Sequence, residues 1–268
     1  MKKLLSCLLL SVAATSALTT SAQAGTFYVS TNDNQIGAFD DLTGSYTQLA
    51  STPTFTDIAL SPSEQLFGIT FNKLYSVDLD SGTNNYVGRL GKGKRGKGKR
   101  GKGKSLNALG FSNDGKLYGT GGSSFYSIDT SSGRASRISS NSGFSSSGDI
   151  VFDAARDIFW ATSVDDSLWS ITRDGVGTKI GDIGYGRVYG LAFGDDGSLF
   201  GYTANQDQLE LDLGTGVGTF VRKIPGLNSQ EIWGATSEAD GTAVPEPGMT
   251  LGLLSVGALF VGSRLQRK

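Results

Sequence analysis

The stretch Phe111-Ser112-Asn113-Asp114-Gly115-Lys116-Leu117-Tyr118-Gly119 reads as the end of one apolar strand, a tight turn and the start of another. The chain writes it again as Phe193-Gly194-Asp195-Asp196-Gly197-Ser198-Leu199-Phe200-Gly201. A third version runs Leu60-Ser61-Pro62-Ser63-Glu64-Gln65-Leu66-Phe67-Gly68, and a looser one spans Phe152 to Trp160. Asp-Gly supplies the positive φ that a two-residue hairpin turn requires. A third strand follows each pair: Leu74-Tyr75-Ser76-Val77-Asp78, Phe125-Tyr126-Ser127-Ile128-Asp129, Leu168-Trp169-Ser170-Ile171-Thr172 and Leu209-Glu210-Leu211-Asp212. Each then meets a turn glycine, Gly82, Gly133, Gly175 or Gly216, and a shorter fourth strand such as Tyr86 to Leu90 or Thr219 to Ile224 completes the unit. Alternating apolar and polar residues give the strand period, and no helical stretch is read in the interior.

The aromatic after the first turn recurs at Phe67, Tyr118, Phe159 and Phe200, at intervals of 51, 41 and 41 residues, the longest of which contains the tract Gly91 to Lys104. Self-similarity at a fixed period of roughly 40 residues marks a repeat architecture. An earlier partial copy, Phe27-Tyr28-Val29 with Ile36 to Gly44 and Tyr46 to Leu49, lacks a first strand. Glu231-Ile232-Trp233-Gly234-Ala235 looks like a first strand with nothing after it. Joining the two makes one four-stranded unit from both termini, which is how a propeller closes its ring and protects its last sheet edge. The expected fold is all-β: a five-bladed β-propeller over residues 25–240, closed by N- and C-terminal strands and flanked by an N-terminal signal helix and a C-terminal hydrophobic helix. An open β-sandwich of similar hairpins is the competing architecture. The blades lack the Gly-His and Trp-Asp marks of the WD40 class.

Both ends read as addresses. Residues 1–24 carry Lys2 and Lys3, an apolar stretch from Leu4 to Leu18, and the small-x-small cleavage site Ala22-Gln23-Ala24. That is the pattern of a secretory signal, and the stretch is short of the roughly 20 residues a membrane span needs. The secretion translocon and signal peptidase are the partners it implies. The single Cys, Cys7, lies in this segment, so the exported body can hold no disulfide and packing alone must stabilise it. In the tail, residues 241–268, Val244-Pro245-Glu246-Pro247 precedes an apolar run from Gly248 to Ser263 and the basic stop Arg264-Leu265-Gln266-Arg267-Lys268. The run spans roughly 24 Å as a helix, marginal for a ~30 Å hydrocarbon core, and Arg264, Arg267 and Lys268 can snorkel to the interface. Pro-Glu-Pro cannot enter the helix and presents an extended backbone ahead of it. This order of motif, short span and basic stop resembles the PEP-CTERM sorting signal of Gram-negative bacteria. The resemblance implies transient anchoring in the inner membrane, processing by an exosortase-type enzyme, and a place at the cell surface or in an extracellular polysaccharide or biofilm matrix. It covers the tail alone and says nothing of the body.

The composition narrows the chemistry. The 268 residues include 39 Gly and no His. Without His, His-based triads are excluded and zinc sites lose their commonest ligand. No Gly-x-Ser-x-Gly elbow, phosphate loop or dinucleotide fingerprint is present. No catalytic residue and no cofactor are expected. Of the 24 Lys and Arg, two lie in the leader and three in the tail, leaving 19 between residues 25 and 243 against 24 Asp and Glu. Eight of those 19 are Lys92, Lys94, Arg95, Lys97, Lys99, Arg100, Lys102 and Lys104. Alternate glycines and mutual repulsion make this tract a disordered loop in expectation, hanging from an acidic body. It is either a neutral expansion or a binder of acidic extracellular polysaccharide or lipid headgroups through counterion release. Nucleic acid is not an expected partner, and nothing aromatic interleaves the tract to stack on bases or sugars.

Asp57 and Asp149 take equivalent places near the start of innermost strands, with Asn107 nearby in register. Two channel carboxylates could bind calcium, yet Ala108 and Gly190 fill other equivalent positions and calcium needs six to eight oxygens; the alternative is that they line a wet channel. The runs Asn32-Asp33-Asn34, Asn113-Asp114-Gly115 and Asp195-Asp196-Gly197 are turn formers without full calcium-loop spacing. Trp160, Trp169 and Trp233, with Phe27, Tyr75, Tyr126 and Phe200, read as blade core in preference to a sugar platform. The expected function is an exported, non-enzymatic cell-surface or matrix protein that displays a propeller to polysaccharide or a partner protein. A metal-dependent propeller hydrolase or lyase using Asp57 and Asp149, and a permanently membrane-tethered envelope protein, are the two alternatives.

Overall fold

The computed structural model describes residues 25–40, 43–91, 105–141 and 143–240. The signal segment with Ala22 and Ala24, the eight basic residues of the tract, the sorting motif with its basic stop, and both expected terminal helices lie outside the described residues.

The chain opens with β1 (Thr26–Thr31), β2 (Gln35–Asp40) and β3 (Tyr46–Ser51). A first complete blade follows from β4 (Asp57–Leu60), β5 (Leu66–Thr70), β6 (Lys73–Asp78) and β7 (Thr83–Arg89). The next comprises β8 (Ala108–Phe111), β9 (Leu117–Gly121), β10 (Ser124–Ile128) and β11 (Ala135–Ser140). Then come β12 (Ser146–Asp153), β13 (Ile158–Ser163), β14 (Ser167–Thr172) and β15 (Gly177–Asp182). The last full blade is β16 (Val188–Phe193), β17 (Leu199–Thr203), β18 (Asp207–Leu211) and β19 (Gly218–Lys223). Finally β20 (Ile232–Ser237) returns to pair with β1, Val29 opposite Ala235 and Phe27 opposite Ser237, giving the sheet β20-β1-β2-β3. Five antiparallel four-stranded sheets around one axis make a five-bladed β-propeller, closed by strands from both ends of the body. No described residue is helical, and none of the described residues forms a helix long and apolar enough to cross a membrane.

Burial follows strand position. The inner strands β4 and β8 are buried at every residue, whereas the outer strands β7 and β19 are mostly exposed or half-buried. The core is divided among five apolar clusters, one at each blade-to-blade interface. Trp160, Trp169, Phe27 and Phe200 belong to them as read from the sequence, while Tyr75 and Tyr126 are half-buried against their edges.

The inner hairpin turns differ from the sequence reading. Ser112 N–H donates to Lys116 O and Gly115 N–H to Ser112 O, both at 2.9 Å, which leaves three loop residues rather than two. Gly115 sits at φ 75 as the left-handed residue that ends such a loop, and Glu64 takes the same place at φ 62. At the outer turn Gly133 (φ 70) brings its backbone against Gly88 of the preceding blade, where a Cβ would lie 2.8 Å from the Gly88 carbonyl carbon. This approach lets Ala135 N–H donate to Leu90 O across the blades at 3.1 Å, and Gly218 N–H repeats the bond to Ile183 O at 2.9 Å. A β-bulge recurs between the third and fourth strands of all five sheets and adds local twist.

Candidate functional site

The inner strands run in the same direction around the axis. Gly234 lies against Asp57 where β20 and β4 begin, and Leu60 N–H donates to Thr236 Oγ1 at 3.0 Å near where they end. The channel therefore has a mouth, where inner strands start, and a base, where they finish. Gly25 sits against Asp195 in a base turn, and Asp240 accepts from Phe193 N–H at 2.7 Å at the base end of β16. Gly25 and Asp240, the first and last described residues, thus both lie on the base side of the body. The basic tract joins it at the mouth: Leu90 N–H and Leu106 N–H, on either side of the tract, donate to Asn72 O at 3.0 Å and Phe71 O at 2.9 Å.

At the first rung below the mouth, Asp57 and Asp149 are fully buried. Asp57 Oδ2 accepts from Leu109 N–H at 2.6 Å and Oδ1 from Ile58 N–H at 2.8 Å. Asp149 Oδ2 accepts from Leu191 N–H at 2.6 Å and from Ala235 N–H at 3.2 Å. The equivalence read from the sequence is real, since each carboxyl ties its inner strand to the corresponding leucine of the next blade. Neither faces water: a Cβ on Gly234 would lie 2.2 Å from Asp57 Oδ1, so the small residues of the neighbouring blades make room for the two carboxyls. Burial, reinforced by the charge of Asp149, pushes Asp57 well above the ordinary carboxylate range; burial also raises Asp149, against the pull of its backbone N–H partners. The two carboxyls also interact with each other, which raises Asp57 and lowers Asp149, so of the pair Asp57 holds a proton the more readily.

This donor set does not suit calcium. Three of its four oxygens are already committed to N–H groups, and among the described residues no group of three His, Cys, Asp or Glu is placed to hold a metal. Asn107 lies on the mouth side, where its Nδ2 donates to Ser146 O at 3.1 Å. Below the carboxyls the apolar channel leaves about 10 Å³, room for one water at most. Asp240 closes the base, accepting from Phe193 N–H, Ser237 N–H and the Thr236 hydroxyl at 2.7–2.8 Å; burial pushes its pKa up to about 6.

Above the carboxyls the channel widens into a cavity of about 410 Å³, within the size range of small-molecule sites. Trp233, read from the sequence as core, is half-buried and lines this cavity with Tyr189 and the exposed Phe71. Alternation explains the change: Ile232 and Trp233 are adjacent on one strand, Ile232 pointing into the blade interface and Trp233 away from it. Glu231 Oε1 accepts from Arg187 Nη2 at 2.6 Å and Oε2 from Trp233 Nε1 at 3.1 Å. The Arg187 guanidinium holds the Glu231 carboxyl below its ordinary range and lies 5.7 Å from the Tyr189 ring centroid. Arg187 and Glu231 were not among the sequence candidates, being 44 residues apart on different blades. Tyr189-Gly190 and Trp233-Gly234 repeat one aromatic-glycine pair, a local signal for the aromatic rim but not for the Arg187–Glu231 pair beside it.

Residues 243–268 match the PEP-CTERM protein-sorting motif, so the chain carries that signal, as its residues suggested. It marks an exported protein handled by exosortase-type machinery. No curated protein matches the chain. Among solved structures, it is similar to a gluconolactonase from Xanthomonas campestris at 13% identity and TM-score 0.49, over 76% of this chain and 78% of that one. It is also similar to virginiamycin B lyase from Staphylococcus aureus at 14% identity and TM-score 0.45, covering 78% of this chain and 72% of the lyase.

Proposed function

We propose that the protein is an exported, non-enzymatic envelope or matrix component that holds extracellular polysaccharide on the mouth side of its propeller. The observation that carries this reading is the placement of the chain junctions: Gly25 and Asp240 at the base, Leu90 and Leu106 at the mouth. A body held by its tail turns its base to the membrane and its mouth, where Leu90 and Leu106 flank the basic tract, away from it. The absence of His and the commitment of Asp57 and Asp149 to blade-to-blade hydrogen bonds support a binding role over a hydrolase or lyase. In this reading the translocon and signal peptidase deliver the chain, and an exosortase-type enzyme removes the tail.

The test is retention of the full chain, in detergent, on immobilised alginate. Retention should fall steeply with salt, because each neutralised anionic group releases counterions. Deleting residues 91–104 should abolish it; undiminished retention by the deletion variant refutes the role given to the tract. Intact mass of the protein recovered from cells should lack Arg264 to Lys268, and their persistence identifies a permanent tether instead.

A further inference from the structure

The rim of the mouth cavity combines flat apolar faces with planar hydrogen-bonding groups. Trp233 and Tyr189 stand at matching places, each one residue ahead of a glycine, and Phe71 is 55% exposed beside them. One carboxylate, Glu231, fixes both the Trp233 ring and the Arg187 guanidinium, so these groups are set before any ligand arrives. The charges of Arg187 and Glu231 cancel, and the rest of the lining, including Asn107 and Ser147, is uncharged. An anion would meet Glu231 as well as Arg187, and a purely apolar ligand would strip water from Arg187, Glu231 and Asn107 without replacing its hydrogen bonds. A saccharide ring satisfies both halves: an apolar C–H face for the aromatics, and a hydroxyl edge that donates to and accepts from planar side chains.

We infer that the mouth cavity binds a neutral pyranose unit, stacked on Trp233 and Tyr189 with its hydroxyls on the Arg187–Glu231 pair and Asn107. This deepens the polysaccharide reading and rests on it for the ligand's presence. The recognition is nonetheless independent of the basic tract and insensitive to salt, because no net charge is neutralised.

Trp233 reports on the site directly, since Trp160 and Trp169 are buried in blade interfaces. The full chain in detergent is titrated with neutral hexose and N-acetylhexosamine oligosaccharides and with an oligogalacturonate, reading tryptophan emission. At least one neutral oligosaccharide should change the emission with the same affinity at low salt and at about 0.5 M salt. Trp233→Ala and Tyr189→Ala should each weaken that binding by about ten-fold or more. Arg187→Met should weaken it too, with thermal unfolding confirming that each variant is folded. Should Trp233→Ala fail to fold, Tyr189→Ala and the exposed Phe71→Ser decide the matter. Silence from every neutral sugar, or a response to oligogalacturonate alone that vanishes in salt, overturns the inference. Neither result touches tract-dependent retention on alginate, so the broader proposal stands or falls separately.

Discussion

Trp233 and Gly234 are neighbours on β20, yet they belong to two different regimes. Trp233 stands on an open rim with Tyr189, Arg187 and Glu231, where side chains are held in place but partly solvated. Gly234 lies one rung lower, against a carboxyl with no exposure, in a tier where two Asp and three small residues fill the axis. Polar groups on the rim are paired with one another and keep a face to water. Polar groups in the tier below are spent on the backbone of neighbouring blades. A five-bladed channel is narrow enough that one residue of depth separates a surface fit for a ligand from a structural staple.

The sharpest way to break this contrast is Asp149→Ala. It leaves Leu191 N–H and Ala235 N–H buried without acceptors and opens a cavity, at a cost of about 3 kcal/mol. For a body of this size that lowers Tm by roughly 6–12 °C in thermal unfolding. A loss below about 1 kcal/mol would mean water reaches the tier and the two regimes are not distinct. Gly234→Ala probes the same tier from the opposite side. Its Cβ would meet Asp57 Oδ1 at 2.2 Å and Asp57 Cα at 2.7 Å, and overpacking of that kind costs about 1–3 kcal/mol.

The buried carboxyls also set the direction of the pH response. Asp240 has its pKa pushed up to about 6, and Asp57 and Asp149 are raised as well, so the folded chain binds more protons than the unfolded chain in mildly acidic solution. Their contribution to stability is complete below the ordinary carboxylate range and is lost as pH rises through their folded-state values. Tm should therefore climb by roughly a few degrees as pH is lowered from 7.5 to about 5. Carboxylates held down by their partners, Asp165 at about 2 chiefly by its hydrogen bond from Ser167, with Asp78, Asp114, Asp129, Asp212 and Glu231, oppose this once the pH falls into the ordinary carboxylate range. Asp240→Asn should flatten the profile near pH 6, and a wild-type Tm that falls on acidification over this range contradicts protonated carboxyls at the axis.

The repeat was legible because its marks are local. Turn glycines, the aromatic after each first turn, and an unpaired strand at each end need no knowledge of distant partners, and they gave blade number and closure correctly. Three-residue turns in place of two-residue ones escaped notice because Asp-Gly serves both geometries. Asp57 and Asp149 were legible as equivalent positions but not as dry staples, since their acceptor role depends on Leu109 and Leu191 of other blades. Trp233 was misjudged because composition favours buried tryptophan, whereas its place beside the inward-pointing Ile232 decides its exposure. The Arg187–Glu231 pair spans two blades and has no local signature at all.

The mildest perturbation tests the rim from the stability side. Five residues connect β3 to β4, β11 to β12 and β15 to β16, whereas eighteen connect β7 to β8. Removing residues 92–104 leaves Leu90, Gly91, Ser105, Leu106 and Asn107, again five, and the anchoring bonds of Leu90 and Leu106 to the β5–β6 turn remain. Closing a shorter loop loses less entropy, by about 1 kcal/mol for this change in length. The deletion should thus leave Tm unchanged or raise it by roughly 2–4 °C while removing eight positive charges. A clear fall in Tm would show that the tract packs on the body, placing the rim in the same structural regime as the carboxyl tier beneath it.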